Sequence, residues 1–104
     1  MNKKVPTRSV TVRNPQGLHA RPADLLVRMA SSFHSTISIG RDGEMVDCKS
    51  ILSLLTLGAA QGTVLTISAD GSDAEDAIDA ITELFESGFD ETNEVSGAES
   101  AVDS

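Results

Sequence analysis

The sequence predicts an α/β (α+β) fold, an open-faced two-layer β-sandwich whose four-stranded, mainly antiparallel sheet is covered on one face by three helices. Stretches with alternating polar and apolar residues are interspersed with stretches that have apolar residues at helical spacing, in the order βαββαβα. Four strands are too few to close a barrel, and three helices suffice to cover one face. The 104 residues suit a single domain, and with three Phe and no Trp or Tyr the core must be aliphatic.

The first strand and helix are predicted on either side of a turn. Residues 9–13 alternate polar and β-branched apolar side chains, which is typical of a half-buried strand. Turn residues follow at 14–17, and from Ala20 apolar residues recur at helical spacing. Pro22 lies in the first turn of this helix, where the missing N–H of proline costs nothing. We expect the helix to cover residues 20–32.

The middle of the chain predicts a hairpin and a short helix. Residues 36–39 alternate, residues 40–43 form a glycine-containing connection, and residues 44–47 return as the paired strand. Ser50 is predicted to cap a helix that runs through residue 57, because its hydroxyl can accept from backbone amides one turn later. Gly58 then stands where a C-terminal glycine is favoured.

The last strand and helix are predicted at 63–68 and after residue 72. Ser72 resembles an N-cap, and Glu75 follows at the spacing of a capping box. The helix has one apolar stripe, formed by Ala74, Ala77, Ile78, Ile81, Leu84 and Phe85. We expect it to end near Gly88.

Three segments follow from this pattern. Residues 1–8 are predicted to be a flexible N-terminal segment, and residues 9–89 to be the folded domain. Residues 90–104 are acidic and small, with almost no apolar side chains, so burial cannot offset the cost of ordering them. The sequence therefore predicts a disordered acidic tail.

The charge distribution excludes several classes of partner. The formal charge is −8, every Lys and Arg precedes Ile51, and most acids follow Ala69. Such a balance repels phosphate backbones, and the few aromatic residues offer no base-stacking surface, so nucleic acid is an unexpected partner. The single Cys48 cannot form an internal disulfide, residues 1–10 lack the apolar stretch of a signal peptide, and no run reaches transmembrane length. We expect a cytoplasmic protein that does not insert into membranes.

Residues 17–23 carry the candidate chemistry. His19 stands at the junction of a turn and a helix start, where free amides and the helix dipole bind anions and would stabilise a phosphoryl group on the imidazole. Arg21 can add a charge-assisted contact to the phosphate oxygens. A neutral imidazole is a competent nucleophile. From the pattern alone, however, a histidine at a helix start is more often a cap or a solvent-facing residue.

Three stretches of sequence decide between these interpretations. Residues 17–23, 49–58 and 62–77 closely resemble the HPr family, the histidine-containing phosphocarriers of the phosphoenolpyruvate-dependent sugar phosphotransferase system. The resemblance covers roughly residues 9–89. It implies that His19 accepts a phosphoryl group on Nδ1 from enzyme I and donates it to enzyme IIA domains, and that Arg21 assists the transfer. It also implies a carrier rather than an enzyme, a monomer, and no metal or soluble cofactor.

Ser50 matches the position that a dedicated HPr kinase/phosphorylase modifies in many relatives. The alternative is that Ser50 is only a helix cap, and both roles can hold at once, because phosphate is tolerated at a helix N-terminus. Asp47 and Cys48 precede it where relatives often have other residues, so recognition by such a kinase stays open.

The short helix has more apolar residues than one buried stripe needs. These are Ile51, Leu52, Leu54 and Leu55. Some should face solvent, and an exposed apolar patch usually marks a contact surface. The resemblance implies a docking surface for enzyme I and enzyme IIA that comprises Ile51, Leu52, Leu55, Gln16 and Ala20. The alternative is that all four apolar residues are core.

Other residues are not assigned to the site. His34 is expected near the end of the first helix without a functional role, and His19, His34 and Cys48 do not have zinc-ligand spacing. Arg28 and Lys49 are expected to be solvated charges. Two competing functions remain: a mainly regulatory HPr-type protein controlled at Ser50, and, less favoured, a small-ligand-binding module.

Overall fold

Four strands form one sheet in the order β1-β4-β2-β3 in the computed structural model, which describes residues 5–90. The strands are β1 (Thr7–Thr11), β2 (Thr36–Arg41), β3 (Glu44–Asp47) and β4 (Val64–Asp70). All three neighbouring pairs are antiparallel. Ile39 at the centre of β2 lies opposite Val46 of β3 and Ile67 of β4. Strands β1 and β3 are therefore the two edge strands, and β4 and β2 lie between them.

Three helices pack on one face of this sheet. They are α1 (Ala20–Ser31), α2 (Ile51–Thr56) and α3 (Ala74–Glu86), and a 3₁₀ turn (Gly88–Asp90) follows. Leu65, Ile67 and Ala69 of β4 are buried toward the helices, whereas Val64 is 55% exposed. This alternation is the period-two pattern of a strand with one covered face. The predicted fold class is confirmed. Within residues 5–90 no helix has the length and apolar character that crossing a membrane requires.

The core is largely aliphatic, but its two bulkiest members are aromatic. Phe85 and Phe89 are almost fully buried, and their rings meet edge to face with centroids 4.9 Å apart. To place Phe89 there, the chain reverses after α3 through consecutive left-handed residues, Gly88 (φ +64°), Phe89 (φ +56°) and Asp90 (φ +60°). Burial of the Phe89 ring offsets the free-energy cost of its positive φ, a conformation that L-residues rarely adopt.

Strand β1 lies two residues nearer the N-terminus than the predicted strand at 9–13, and β2 and β4 each run two residues past their predicted ends at 39 and 68. β1 begins at Thr7, so Thr7 and Arg8, which were assigned to the flexible N-terminal segment, pair with Ser68 and Ile67 of β4. The Ala69 amide also donates to the carbonyl of Pro6 at 3.2 Å. Backbone hydrogen bonds between two neighbouring strands do not depend on the side chains, so the side-chain pattern alone does not set where a strand begins or ends. Of the predicted tail at 90–104, only Asp90 is described, in the 3₁₀ turn; the rest lies outside the described residues.

The start of α3 differs from the prediction. The N-cap is Asp73, not Ser72, and the Asp73 side chain does not cap the helix. Its carboxylate instead accepts the amide N–H groups of His34 (2.8 Å) and Ser35 (3.0 Å) and the hydroxyl of Ser35. The Ser35 hydroxyl bond and the two backbone bonds lower the pKa of Asp73 to about 2. Asp73 therefore joins the loop before β2 to the start of α3.

This contact predicts an acid-sensitive contribution to stability. The Asp73 carboxylate is ionised more readily in the folded than in the unfolded chain, so its contribution is present above pH ~4 and is lost as pH falls toward about 2. Asp73→Asn should lower the urea midpoint at neutral pH, and the two proteins should converge over that acid range. Asp76→Asn, also in the first turn of α3, is the control and should leave the pH dependence unchanged. Parallel curves for Asp73→Asn and wild type would contradict the prediction.

Candidate functional site

His19 is the N-cap residue of α1, with extended backbone (φ −86°, ψ −168°). Its imidazole makes no capping hydrogen bond, and the residue is half-buried. The ring borders a shallow cleft between the loop before α1 and the segment after α2, lined also by Gln16, Leu18, Leu55 and residues 58–60. The side chain is thus not used as a cap, which removes one of the two interpretations that compete with the nucleophile.

The first turn of α1 is suited to an anion. The amide N–H groups of Ala20 and Arg21 donate no hydrogen bond within residues 5–90, and Pro22 has no N–H. The first intrahelical bond runs from the Ala23 amide to the His19 carbonyl at 3.0 Å. No acidic side chain lies in this turn to neutralise the positive end of the helix dipole. A phosphoryl group on His19 would therefore meet free donors.

The loop that presents His19 is held by hydrogen bonds from one side chain and from the backbone. The buried Asn14 side-chain amide donates to the Gly17 carbonyl at 2.6 Å, and the Gly17 amide donates to the Asn14 carbonyl at 3.0 Å. The Leu18 amide donates to the Ala59 carbonyl at 2.9 Å, which joins the loop to the segment after α2. Gly17 has φ +72°, and a Cβ there would overlap the carbonyl oxygen of Ala59. Glycine is therefore required at this position, because it tolerates the positive φ and has no Cβ to overlap the Ala59 carbonyl.

Gly17→Ala should consequently destabilise the fold and displace the site. The strained φ and the backbone overlap together should cost about 2 kcal/mol or more, which for a domain of this size lowers Tm by roughly 10 °C. Differential scanning calorimetry checks this. Gly43→Ala is the control: Gly43 also has positive φ (+82°), but a Cβ there would meet nothing within 4 Å. Equal losses in both variants would show that backbone strain alone matters and that the Ala59 overlap does not.

Arg21 lies on the neighbouring side of the same surface. It is exposed and lines a second cleft with Pro15, Gln16 and Asp90. Gln16 lines both clefts, so the His19 and Arg21 sides adjoin. The Arg21 guanidinium makes no hydrogen bond or ion pair within the described part of the chain. Its donors are therefore available for an anion.

The α2 helix places its apolar residues on two sides. Leu54 is fully buried, whereas Leu52 is 73% exposed, Leu55 is 37% exposed, and Ile51 is half-buried. The alternative in which all four are core is therefore wrong. Leu55 borders the His19 cleft. Gln16 lines the same cleft, and Gln16 and Ala20 are exposed. Each predicted docking residue therefore has accessible surface, and two of them border the His19 cleft.

Ser50 caps α2 as predicted. Its hydroxyl accepts the Ser53 amide at 3.3 Å, and the residue is half-buried. Lys49 differs from its prediction as a solvated charge, because its ammonium donates to the Phe33 carbonyl at 2.9 Å, just after α1. Arg28 pairs with Asp24 on the surface of α1 at 2.9 Å.

Cys48 and His34 take no part in the cleft. Burial raises the pKa of the Cys48 thiol to about 12, so the reactive thiolate is disfavoured. His34 is exposed, and its amide is one of the two that donate to the Asp73 carboxylate. Among residues 5–90 no group of three or more His, Cys, Asp or Glu side chains is arranged to hold a metal ion.

The sequence missed three residues that shape the site. Asn14 was interpreted only as a turn residue, Ala59 was not considered, and Asp90 was assigned to the tail. Ala59 and Asp90 come to the site from segments far apart in the chain, which leave no spacing signal, whereas Asn14 bonds to Gly17 only three residues away. Asn before Pro15 and Gly17 was the one available hint, since asparagine side chains often bond to nearby backbone in turns.

Residues 6–87 match the family model for the PTS HPr component phosphorylation site. The chain belongs to the PTS HPr family. The phosphocarrier protein HPr of Xylella fastidiosa is 43% identical over 82 residues, which are 79% of this chain and 92% of that protein. The family resemblance drawn from residues 17–23, 49–58 and 62–77 is thereby confirmed.

Solved HPr structures share the fold. The crystal structure of HPr-C-His from Thermoanaerobacter tengcongensis superposes with a TM-score of 0.80 at 42% identity, covering 86% of this chain and 99% of that one. Crh, a catabolite repression protein of Bacillus subtilis crystallised as a domain-swapped dimer, has a TM-score of 0.65 at 34% identity, covering 85% of this chain and 95% of its own. This chain is accordingly an HPr phosphocarrier of the phosphotransferase system.

Proposed function

We propose that this HPr carries a phosphoryl group on His19 from enzyme I to sugar-specific enzyme IIA domains in the cytoplasm. One observation carries the assignment to His19. The imidazole at the start of α1 does not cap the helix, although the amides of Ala20 and Arg21 beside it have no acceptor within residues 5–90. A nucleophile next to unused donors is suited to accepting an anionic group.

The transfer step follows from this arrangement. The lone pair of Nδ1 of neutral His19 attacks phosphorus on phosphorylated enzyme I, the new P–N bond forms, and the donor atom of enzyme I leaves with the electron pair of the broken bond. The amides at the start of α1 and the Arg21 guanidinium stabilise negative charge on the phosphoryl oxygens. In the next transfer an enzyme IIA nucleophile attacks and His19 leaves. The shallow cleft lets each partner complete the site and exclude water.

The docking surface is proposed to comprise Ile51, Leu52, Leu55, Gln16 and Ala20. Leu52 is the most exposed large apolar residue of the described chain, at 73%. Burial of such a side chain at the centre of an interface is typical of a binding hot spot. No stable dimer is proposed, although Crh forms one, so this surface is left for the transfer partners.

Leu52→Gln should weaken docking without weakening the fold. The loss of one apolar anchor should cost about 1–2 kcal/mol of docking free energy. The KM of enzyme I for this carrier should then rise roughly 5–30-fold, while kcat changes little. Steady-state phosphoryl transfer at varied carrier concentration measures this. Val64→Thr is the matched control, because Val64 is also exposed, at 55%, but lies in β4 away from the cleft. An unchanged KM for Leu52→Gln would remove Leu52 from the docking surface.

A second candidate function is regulation through Ser50. The similarity to Crh, a catabolite repression protein, favours it. Ser50 presents its hydroxyl at the start of α2, where phosphate adds about two negative charges beside Leu52. A dedicated HPr kinase/phosphorylase is the partner this role requires.

Intact-protein mass spectrometry separates the two functions. Incubation with phosphoenolpyruvate and enzyme I should add one phosphoryl mass that brief acid treatment removes, because phosphohistidine is acid-labile. If no such adduct forms, and an acid-stable adduct forms only with ATP and a serine kinase, the regulatory function replaces the carrier function.

A further inference from the structure

We propose that Asn14 is a positioning residue for phosphoryl transfer: it fixes the backbone of His19 through the Gly17 carbonyl and thereby sets the transfer rate. The inference rests on the proposed function, in which His19 is the nucleophile. The Asn14 side chain is fully buried, so its effect on the rate has to act through the residues to which it bonds.

A buried amide at this position needs an explanation other than packing. Asn14 and Ser35 are the two buried polar residues among residues 5–90, and Val12 and Leu18, close to Asn14 in the chain, are buried apolar residues. An amide in such a place costs free energy unless it is hydrogen-bonded, whereas an apolar side chain would fill the space without that cost. The amide of Asn14 is therefore explained by the bond that it makes.

The Asn14 side-chain amide and the His19 backbone amide donate to the same atom, the Gly17 carbonyl oxygen. The bond from Asn14 Nδ2 is 2.6 Å long and the bond from the His19 amide is 3.0 Å long. The Gly17 amide donates back to the Asn14 carbonyl at 3.0 Å, so residues 14 and 17 are joined in both directions. A carbonyl held by a buried donor has little freedom to move, and the His19 amide is held with it.

The chain just before Asn14 is itself anchored to the segment after α2. The Val12 amide donates to the Thr63 carbonyl at 2.9 Å, and the Gly62 amide donates to the Val12 carbonyl at 2.7 Å. Asn14 therefore starts from a fixed point, and its side-chain amide transmits that position across the turn to Gly17.

The backbone of His19 is consequently held on both sides. Its amide donates to the Gly17 carbonyl, and its carbonyl accepts the Ala23 amide at 3.0 Å. Transfer requires Nδ1 and the amides of the first turn of α1 to surround one phosphoryl group, and a displacement of about 1 Å can cost up to ~100-fold in rate. Loss of the Asn14 bond should therefore slow transfer while leaving the docking surface unchanged.

The test compares two truncations of a buried polar side chain in the full chain. Asn14→Ala removes the donor to Gly17, and the control Ser35→Ala removes the hydroxyl donor to Asp73. Ser35 lines neither the His19 cleft nor the Arg21 cleft. Both variants should lower the urea midpoint. With phosphorylated enzyme I, only Asn14→Ala should lower kcat, by about 10-fold, with KM unchanged within about twofold.

Two further measurements keep the test independent of a folding defect in one variant. Asn14→Val fills more of the space than alanine but also lacks the donor, so it should lose rate to a similar extent. In the wild-type chain labelled with ¹³C and ¹⁵N, a scalar coupling across the hydrogen bond should connect Asn14 Nδ2 to the Gly17 carbonyl carbon. The His19 amide signal should shift in both Asn14 variants and stay in place in Ser35→Ala.

Phosphoramidate separates this inference from the proposed function. It transfers its phosphoryl group to imidazole nitrogen and releases ammonia, so no partner protein is needed. The mass of the peptide that contains His19 should show slower labelling in Asn14→Ala than in wild type, because the same α1 amides stabilise the incoming group. If this is seen while enzyme I never phosphorylates the wild-type chain, the proposed function fails and the positioning role of Asn14 stands.

Several results would overturn the inference: equal kcat in Asn14→Ala and wild type, an equal loss of kcat in Ser35→Ala, or a loss that falls on KM alone. Absence of the coupling between Asn14 and Gly17 in the wild-type chain would overturn it too. If both Asn14 variants fail to fold, Asn14 is a structural residue only. If neither donor phosphorylates His19 in the wild-type chain, the inference falls together with the proposed function.

Discussion

His19→Ala is expected to abolish phosphoryl transfer from enzyme I. The imidazole is the nucleophile in the proposed mechanism, and an alanine leaves the free amides of Ala20 and Arg21 with nothing to which a phosphoryl group can be attached. Intact mass after incubation with phosphoenolpyruvate and enzyme I should show no acid-labile adduct. The folded state should persist, because the side chain makes no capping bond and is only half-buried.

The other histidine provides the control. His34 is exposed and contributes only its backbone amide to the Asp73 contact, so His34→Ala should keep both the fold and the adduct. An acid-labile adduct on His19→Ala that disappears only in the double variant would move the nucleophile to His34. The same experiment repeated with phosphoramidate would show whether a loss lies in the nucleophile or in docking to enzyme I.

The sequence predicted the elements well because local pattern determines them. The alternation in residues 36–39 and the apolar stripe of α3 are set by side chains a few positions apart, and the structure follows both. Ser50 as a cap is likewise a matter of one hydroxyl and an amide three residues later. Family resemblance supplied the rest of the function, since a histidine at a helix start is ambiguous by itself.

The errors arise where distant segments meet. Ser72 was predicted to cap α3 from its spacing to Glu75, but the N-cap is Asp73, whose carboxylate accepts hydrogen bonds from Ser35 across the fold. The capping-box pattern takes account only of the amides at the start of one helix. The amides of residues 34 and 35 also need an acceptor, and Asp73 supplies it. The position of Asp90 beside Arg21 depends in the same way on where Phe89 packs, which no local pattern encodes.

Arg21→Ala is expected to slow transfer from phosphorylated enzyme I by about 10²-fold, toward the lower end of the effect of removing a charge-stabilising donor. The loss should fall mainly on kcat, because Arg21 contacts the phosphoryl oxygens rather than the docking surface. Stability should not change, since the guanidinium has no partner within residues 5–90. Arg28→Ala, on the same helix, is the control because Arg28 pairs with Asp24 instead.

Arg21→Lys distinguishes charge from geometry at this position. An ammonium keeps the positive charge but loses the planar fork that can hold two phosphoryl oxygens at once. If charge supplies half of the transition-state stabilisation by Arg21, Arg21→Lys should transfer the phosphoryl group about 10-fold faster than Arg21→Ala. Rapid-quench measurement of single transfers gives the rates directly. If Arg21→Ala accepts and donates phosphate as fast as wild type, the α1 amides stabilise the phosphoryl group alone.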